Sequence, residues 1–388
     1  MSNAAFVAPA KRSRRPVRRA LSALLILATL GLAGFVLDEA QTSRQQADWL
    51  SERARQLNYQ MQPGPSPAIR FAGNGPYDQR LGYHQLPQLI DRLQGQGFAV
   101  TAQARMSPAL LALRDEGYFA TYREKAQAGL NVRDCRGEPL FEASYPERTY
   151  ARFDALPPLL VHSLLFIENR DLLDPPATRN PAIEWDRFGK VVFDQLLHRV
   201  DESHGAAGGS TLATQIEKYR HSPQGRTESA RDKLRQMASA SLRAYLDGHD
   251  TMARRRQIVL DYLNTVPLSA QSGFGEVNGL GDGLWAWYGR DFAEMNRLLA
   301  TPIAEAQPGE PRRRALAFKQ ALLPMQALAF KQALSLMVAQ RRPSYYLGGE
   351  GERTLRELTN SHLRLLAEAG VITPALRDAA LPLPLRLL

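Results

Sequence analysis

Hydrophobic and polar positions follow three regimes along the chain. The first is an apolar run from Ala20 to Leu37, preceded by Lys11, Arg12, Arg14, Arg15, Arg18 and Arg19 and followed by Asp38 and Glu39. Basic before, acidic after, and long enough to cross roughly 30 Å of hydrocarbon at its lower limit, it predicts one membrane helix with its N-terminus inside. A signal peptide is the rival reading. The anchor is favoured because no small-x-small cleavage site follows the run and a polar, helix-compatible stretch, Gln41 to Gln60, continues directly from it. The second regime mixes periods. Pro63, Pro65 and Pro67 mark Gln60 to Ala72 as a linker, a helical period covers Gln85 to Gln94, and strict alternation covers Phe98 to Arg105. These predict a small α+β module over residues 73–129, after a stalk and linker at 38–72. A hairpin then follows, Leu130 to Arg133 and Pro139 to Tyr145 about the turn Asp134-Cys135-Arg136-Gly137.

After Pro157 the third regime is helical almost throughout. Helices are predicted over Leu159 to Glu168, Trp185 to His198, Thr211 to Tyr219, Glu228 to Leu246, Arg254 to Asn264, Gly281 to Tyr288 and Thr354 to Leu366. The octamer Ala-Leu-Ala-Phe-Lys-Gln-Ala-Leu occurs at Ala315 to Leu322 and again at Ala327 to Leu334, which reads as a local duplication extending a helix or linker. Residues 130–388 are therefore expected to form a mainly α domain.

Charge changes this picture little. The net +10 suggests nucleic acid until the six basic residues at 11–19 are set aside; the remainder holds 43 basic against 39 acidic residues, too even for a nucleic-acid footprint. A local excess persists from Lys218 to Arg256, suited either to an anionic headgroup or pyrophosphate or simply to a solvated helix face. Cys135 is the only cysteine, so no internal disulfide can form, and the seven histidines show no ligand spacing. No strand is expected before Gly273-Phe274-Gly275-Glu276-Val277-Asn278 and its last position is Asn, so it is a poor dinucleotide match.

Two fragments carry candidate chemistry. Gly208-Gly209-Ser210-Thr211, ahead of a helix that includes Gln215, would offer backbone N–H groups to an anion. Glu168 closes the apolar run Leu164-Leu165-Phe166-Ile167 and could accept a proton. Each has an ordinary explanation: Ser210 or Thr211 as a helix N-cap, and Glu168 as the solvated rim of its helix.

In order, these residues resemble glycosyltransferase family 51, the peptidoglycan glycosyltransferases of penicillin-binding proteins and monofunctional transglycosylases. The likeness runs from about Leu130 to Leu381. Glu168-Asn169-Arg170 stands at the family's E-D-R, Gly208 to Thr211 with Gln215 and Lys218 at its GGST-I-T-Q-Q-x-x-K, and Ile258, Val259, Tyr262 and Asn264 at its I-L-x-x-Y-x-N. Trp287-Tyr288-Gly289-Arg290-Asp291, Arg342-Pro343-Ser344-Tyr345 and Gly370-Val371-Ile372-Thr373 match later segments. The resemblance implies a lysozyme-like, mainly α glycosyltransferase domain at the periplasmic face of a bacterial inner membrane. Its substrate would be lipid II and its product a growing glycan strand; a transpeptidase or other wall synthase would be a partner, and nucleic acid would not. Glu168 would act as catalytic base, with Gln236 at the position of a second catalytic glutamate. Arg170, Gly209, Ser210, Thr211, Gln215, Lys218, Lys233 and Asn264 would bind substrate and its pyrophosphate. No metal site is implied, and a Mg2+ ion accompanying the pyrophosphate is left open.

The chain departs from the pattern in places. Asp232-Lys233-Leu234-Arg235-Gln236 stands where the family has R-K-x-x-E, so an amide replaces the glutamate and an acid replaces the arginine. Asn169 replaces an aspartate, and Asn180 stands at a histidine's place after a short insertion. The alternative reading is therefore a catalytically impaired factor that binds lipid II or a partner synthase. A lytic muramidase with Glu168 as general acid is a third. No S-x-x-K or K-T-G is found, so no transpeptidase domain is expected.

Overall fold

The computed structural model describes residues 15–71, 75–185, 210–301 and 312–388. The helix predicted at Trp185 to His198, beyond its first residue, and Gly208 and Gly209 lie outside the described residues. Among the described residues the architecture is mainly α with three two-stranded antiparallel sheets.

Helix α1 (Arg15–Thr42) is longer than the apolar run that predicts it. Its segment Ser22–Thr42 spans 21 residues with none of it buried, about 32 Å at 1.5 Å per residue, enough for a bilayer core. A second stretch, Leu322–Ala339, is also long and apolar but is 72% buried, as a core helix is. Exposure, not composition, separates the two.

The expected stalk is docked. Helix α2 (Arg44–Gln56) buries Ala47 and Leu50 and, with Leu57 just beyond it, packs on Leu110 and Leu113 and on Leu242, Ala244 and Tyr245. Thr178 Oγ1 donates to the Thr42 carbonyl at 2.6 Å, so the end of α1 is fixed to the main domain. Tyr59–Pro63, part of the expected linker, is strand β1, which pairs with β2 (Ala102–Met106) in the register Tyr59↔Met106 to Pro63↔Ala102. The strand stops at the first of the three prolines, which lack the N–H that continued pairing needs. Between the strands come α3 (Pro76–Arg80) and α4 (Leu86–Gln94), and α5 (Pro108–Asp115) follows β2. The alternating run predicts β2 four residues too early, because Gly97 turns with φ 88° and Phe98 N–H closes α4 on the Leu93 carbonyl. The β3–β4 hairpin (Ala128–Arg133, Pro139–Tyr145) forms as predicted: Asp134 Oδ1 accepts from the N–H groups of Arg136 and Glu138, and Gly137 takes φ 84°.

The main core gathers α6 (Pro158–Glu168), α7 (Leu212–His221), α8 (Ala230–Ala244), α9 (Met252–Thr265), the β5–β6 hairpin (Pro267–Gln271, Gly275–Asn278), α10 (Gly279–Tyr288) and α11 (Phe292–Ala300). It is completed by α12 (Arg312–Ala339), α13 (Pro343–Leu347), α14 (Glu352–Glu368) and α15 (Pro374–Ala380). The repeated octamer lies in one continuous helix, α12. Its second copy is core, with Ala327, Phe330, Ala333 and Leu334 fully buried. Lys331 is buried too, and its ammonium donates to the carbonyls of Ala380, Leu381 and Leu383 at 2.7–2.9 Å, closing the end of α15.

Candidate active site

Glu168 is the last residue of α6, whose Leu160, Val161, Leu164 and Leu165 enter the core. That packing draws its carboxylate inward to 7% exposure, so it is not a solvated rim. A buried carboxylate needs donors, and three converge. Gln215 Nε2 donates to Oε2 at 2.9 Å, Gln340 Nε2 to Oε1 at 3.1 Å and Arg341 Nη2 to Oε1 at 3.4 Å. Gln215 is oriented in turn by the Tyr262 hydroxyl, 3.4 Å from its Oε1. Sequence reasoning placed Glu168 and Gln215 in the site but missed Gln340 and Arg341; their signal was adjacency to the motif Arg342-Pro343-Ser344-Tyr345.

Helix α7 starts as the capping explanation expects. Thr211 is its N-cap and accepts from the Thr214 N–H. Ser210 is left to a different partner: Lys233 Nζ donates to its Oγ at 2.6 Å. Burial lowers the Lys218 pKa, opposed by the attraction of Glu168, and burial together with the charge of Lys218 lowers that of Lys233. Two partly buried ammonium groups thus sense each other, and the nearer senses the carboxylate. A polyanion beside Ser210 would relieve that repulsion.

Other sequence-predicted residues sit elsewhere. Arg170 is exposed, its guanidinium carbon 4.1 Å from the centre of the Phe166 ring. It borders a cavity of about 1010 Å³ that also touches Leu37, Gln41 and Thr42 at the end of α1. Gln236, one helical turn beyond Lys233, is fully buried, and its Nε2 donates to Ser222 Oγ and Thr227 Oγ1, both at 2.9 Å. Asn264 Nδ2 donates to the Tyr150 carbonyl at 2.8 Å and its Oδ1 accepts from Tyr150 N–H at 2.9 Å. Gly279, with φ 79°, packs on it so closely that a Cβ there would stand 2.4 Å from the Asn264 carbonyl oxygen. Asn169 bonds Glu184 and accepts from the Leu212 N–H, tying the end of α6 to the start of α7. Asn180 donates to Gln46 and Ser241 and so holds α2 to α8. Asp232 accepts from the Ser229 hydroxyl at 2.8 Å while Ser229 caps α8, so the acid serves the helix start. Among the described residues, no group of three or more His, Cys, Asp or Glu side chains could hold a metal ion.

Part of the local basic excess is internal. Arg255 is fully buried and donates to the carbonyls of Asp174, Pro176 and Arg179. Arg220 and Arg243 belong to a buried ion cluster on another side of α7. There Glu124 meets Arg220 Nη1 at 3.0 Å, His221 Nε2 at 2.7 Å and Arg243 Nη2 at 3.5 Å, Asp78 meets His221 Nδ1 at 3.3 Å, and Glu217 meets Arg243 Nε at 2.7 Å. Burial pulls the His221 pKa down, but Glu124, Asp78 and Glu217 outweigh it and bring it up to about 9. Asp78 and Glu124 come from the small α+β module, so the cluster welds that module to α7. Gly75 allows the approach, since a Cβ there would stand 2.1 Å from the Arg220 carbonyl oxygen.

A family model described as Transglycosylase matches residues 136–366, well over half of the chain. No curated protein matches.

Proposed function

The chain belongs to the transglycosylase family, and from that premise we propose that it polymerises peptidoglycan glycan strands from lipid II, anchored by α1 in a bacterial inner membrane with the domain on the periplasmic side. The buried carboxylate of Glu168 beside the Lys218–Lys233 pair is the observation that carries this reading. Glycosyl transfer from a lipid pyrophosphate needs a base at the acceptor and positive charge at the leaving group, in adjoining places.

In the proposed reaction the acceptor 4-hydroxyl oxygen bonds to the donor's anomeric carbon as the bond from that carbon to the pyrophosphate oxygen breaks. The hydroxyl proton passes to Glu168. Undecaprenyl pyrophosphate leaves with the bonding electrons, and Lys218, Lys233 and Ser210 receive the charge that builds on it. Arg170 borders the cavity nearest the end of α1, a place suited to the lipid-linked part of the donor. Gln236, Thr211 and Asn264 contribute by holding α7, α8 and the Tyr150 segment in place. The buried site of Gln236 between two hydroxyls suits a neutral amide, so the missing second glutamate is compatible with turnover through Glu168 alone.

The test is polymerisation of labelled lipid II by the detergent-solubilised protein and by Glu168→Gln, with product length read on a gel. Glycan chains from the parent and none from the variant are expected. Lipid II binding without product from either protein would replace this reading by the impaired binding factor.

A further inference from the structure

The donors on Glu168 arrive from different directions. Gln215 comes from α7, while Gln340 and Arg341 are consecutive residues directly after the C-terminal end of α12. Both of the latter reach the same oxygen, Oε1, at 3.1 and 3.4 Å. Gln215 is buried and Gln340 is intermediate, whereas the Arg341 side chain is 55% exposed. Arg341 therefore makes the longest of these three contacts from the most open side.

We propose that Gln340 and Arg341 are positioning residues for Glu168: Gln340 fixes the carboxylate plane, and Arg341 stays beside Oε1 as a counter-ion while making room there for the acceptor hydroxyl. The proposal rests on the reading of Glu168 as the base. Gln340 donates a neutral N–H and holds Oε1 without competing for a proton, and with Gln215 on Oε2 it fixes both oxygens of the group. Arg341 adds compensating charge on the open side of this largely desolvated carboxylate. Its long, half-exposed side chain can shift to admit the hydroxyl without disturbing the core. The rigid attachment is α12, whose second octamer is largely buried and whose Lys331 donates to three carbonyls at the end of α15. The two residues are thus carried by one of the best-buried elements of the fold.

The experiment measures kcat and KM for lipid II in the full-length protein carrying Arg341→Met, Arg341→Lys or Gln340→Leu, beside the parent and Glu168→Gln. A positioning role predicts that Arg341→Met and Gln340→Leu lower kcat by about 10- to 100-fold with KM little changed, and that Arg341→Lys recovers most of the loss. A rise in KM alone, or equal loss in the Met and Lys variants, overturns the proposal. A second reading needs no turnover: the rate at which carbodiimide and an added amine label Glu168, followed by peptide mass. Labelling should rise several-fold in Arg341→Met and return to the parent rate in Arg341→Lys; an unchanged rate in both overturns the proposal. An active parent with inactive Glu168→Gln but normal Arg341→Met sinks this inference alone. A parent that makes no glycan sinks the underlying reading, while the labelling still decides whether Arg341 guards Glu168.

Discussion

Helix α7 separates two charged, buried regions with opposite logic. One group of its residues, with Asp78, Glu124, Asp261 and Arg243, forms a cluster of three cations and four carboxylates in which every charge has an opposite within 4 Å. The other group, Gln215 and Lys218, lies toward Glu168, Ser210 and Lys233, and there the charge of Lys218 acts against that of Lys233 while burial lowers the pKa of both ammonium groups. Desolvated charge that is fully paired holds a fold together without inviting a ligand. Desolvated charge left beside its like is a cost that only a binding partner repays, and such costs gather where chemistry is done. The same helix thus has one structural side and one side proposed to be functional.

The largest effect should come from breaking the paired side. Glu124→Gln leaves Arg220, His221 and Arg243 buried with too little counter-charge, and unfolding in denaturant should show a loss of about 3–5 kcal/mol. If stability is unchanged, the cluster is not what welds the module to α7. Next is the pH dependence of the same cluster. His221 is held up to about 9 against 6.5 for an ordinary histidine, so its contribution is fully present below about 6.5 and is lost as pH rises through 9. It amounts to about 3 kcal/mol. Denaturation midpoints across that range should fall in the parent and flatten in His221→Gln.

On the functional side the lowered lysines set a different pH signature. Glycan synthesis should decline on the alkaline side before an ordinary lysine would lose its proton, and Lys218→Met, which removes one repulsion, should move that decline upward for the remaining Lys233. An alkaline limb that stays in place in this variant would separate the lysines from the reaction. The smallest effect belongs to Thr211→Ala. Loss of its cap on Thr214 N–H should cost about 1 kcal/mol of stability and leave synthesis nearly intact, because the hydroxyl serves the helix.

Six helices of the main domain, α6 to α10 and α14, were legible in the sequence because apolar periodicity leaves few alternatives, and α6 and α10 differ from their predicted bounds by one or two residues; α11, α13 and α15, at five to nine residues, were too short to stand out. Strand β1 was hidden by the prolines that follow it, and α3 was too short to show a period. In the site, Glu168, Gln215, Lys218 and Lys233 could be named because ordered motifs resemble a known family. The composition of the 218–256 segment misled: its arginines look like a surface patch until Arg220 and Arg255 are seen to be buried and Arg243 to be held in the ion cluster. Gln340 and Arg341 could not be found from period or composition, since their role arises only where the end of α12 meets the end of α6. The ion cluster was invisible for the same reason, with Asp78, Glu124 and Glu217 far apart in sequence.

The comparison is tested most directly by measuring glycan synthesis from lipid II and thermal stability together in Lys233→Met. The account predicts synthesis lowered by about 100-fold or more with the melting temperature unchanged or raised, since a desolvated like charge has been removed. A melting temperature that falls in step with activity, or synthesis that persists at the parent rate, would contradict it.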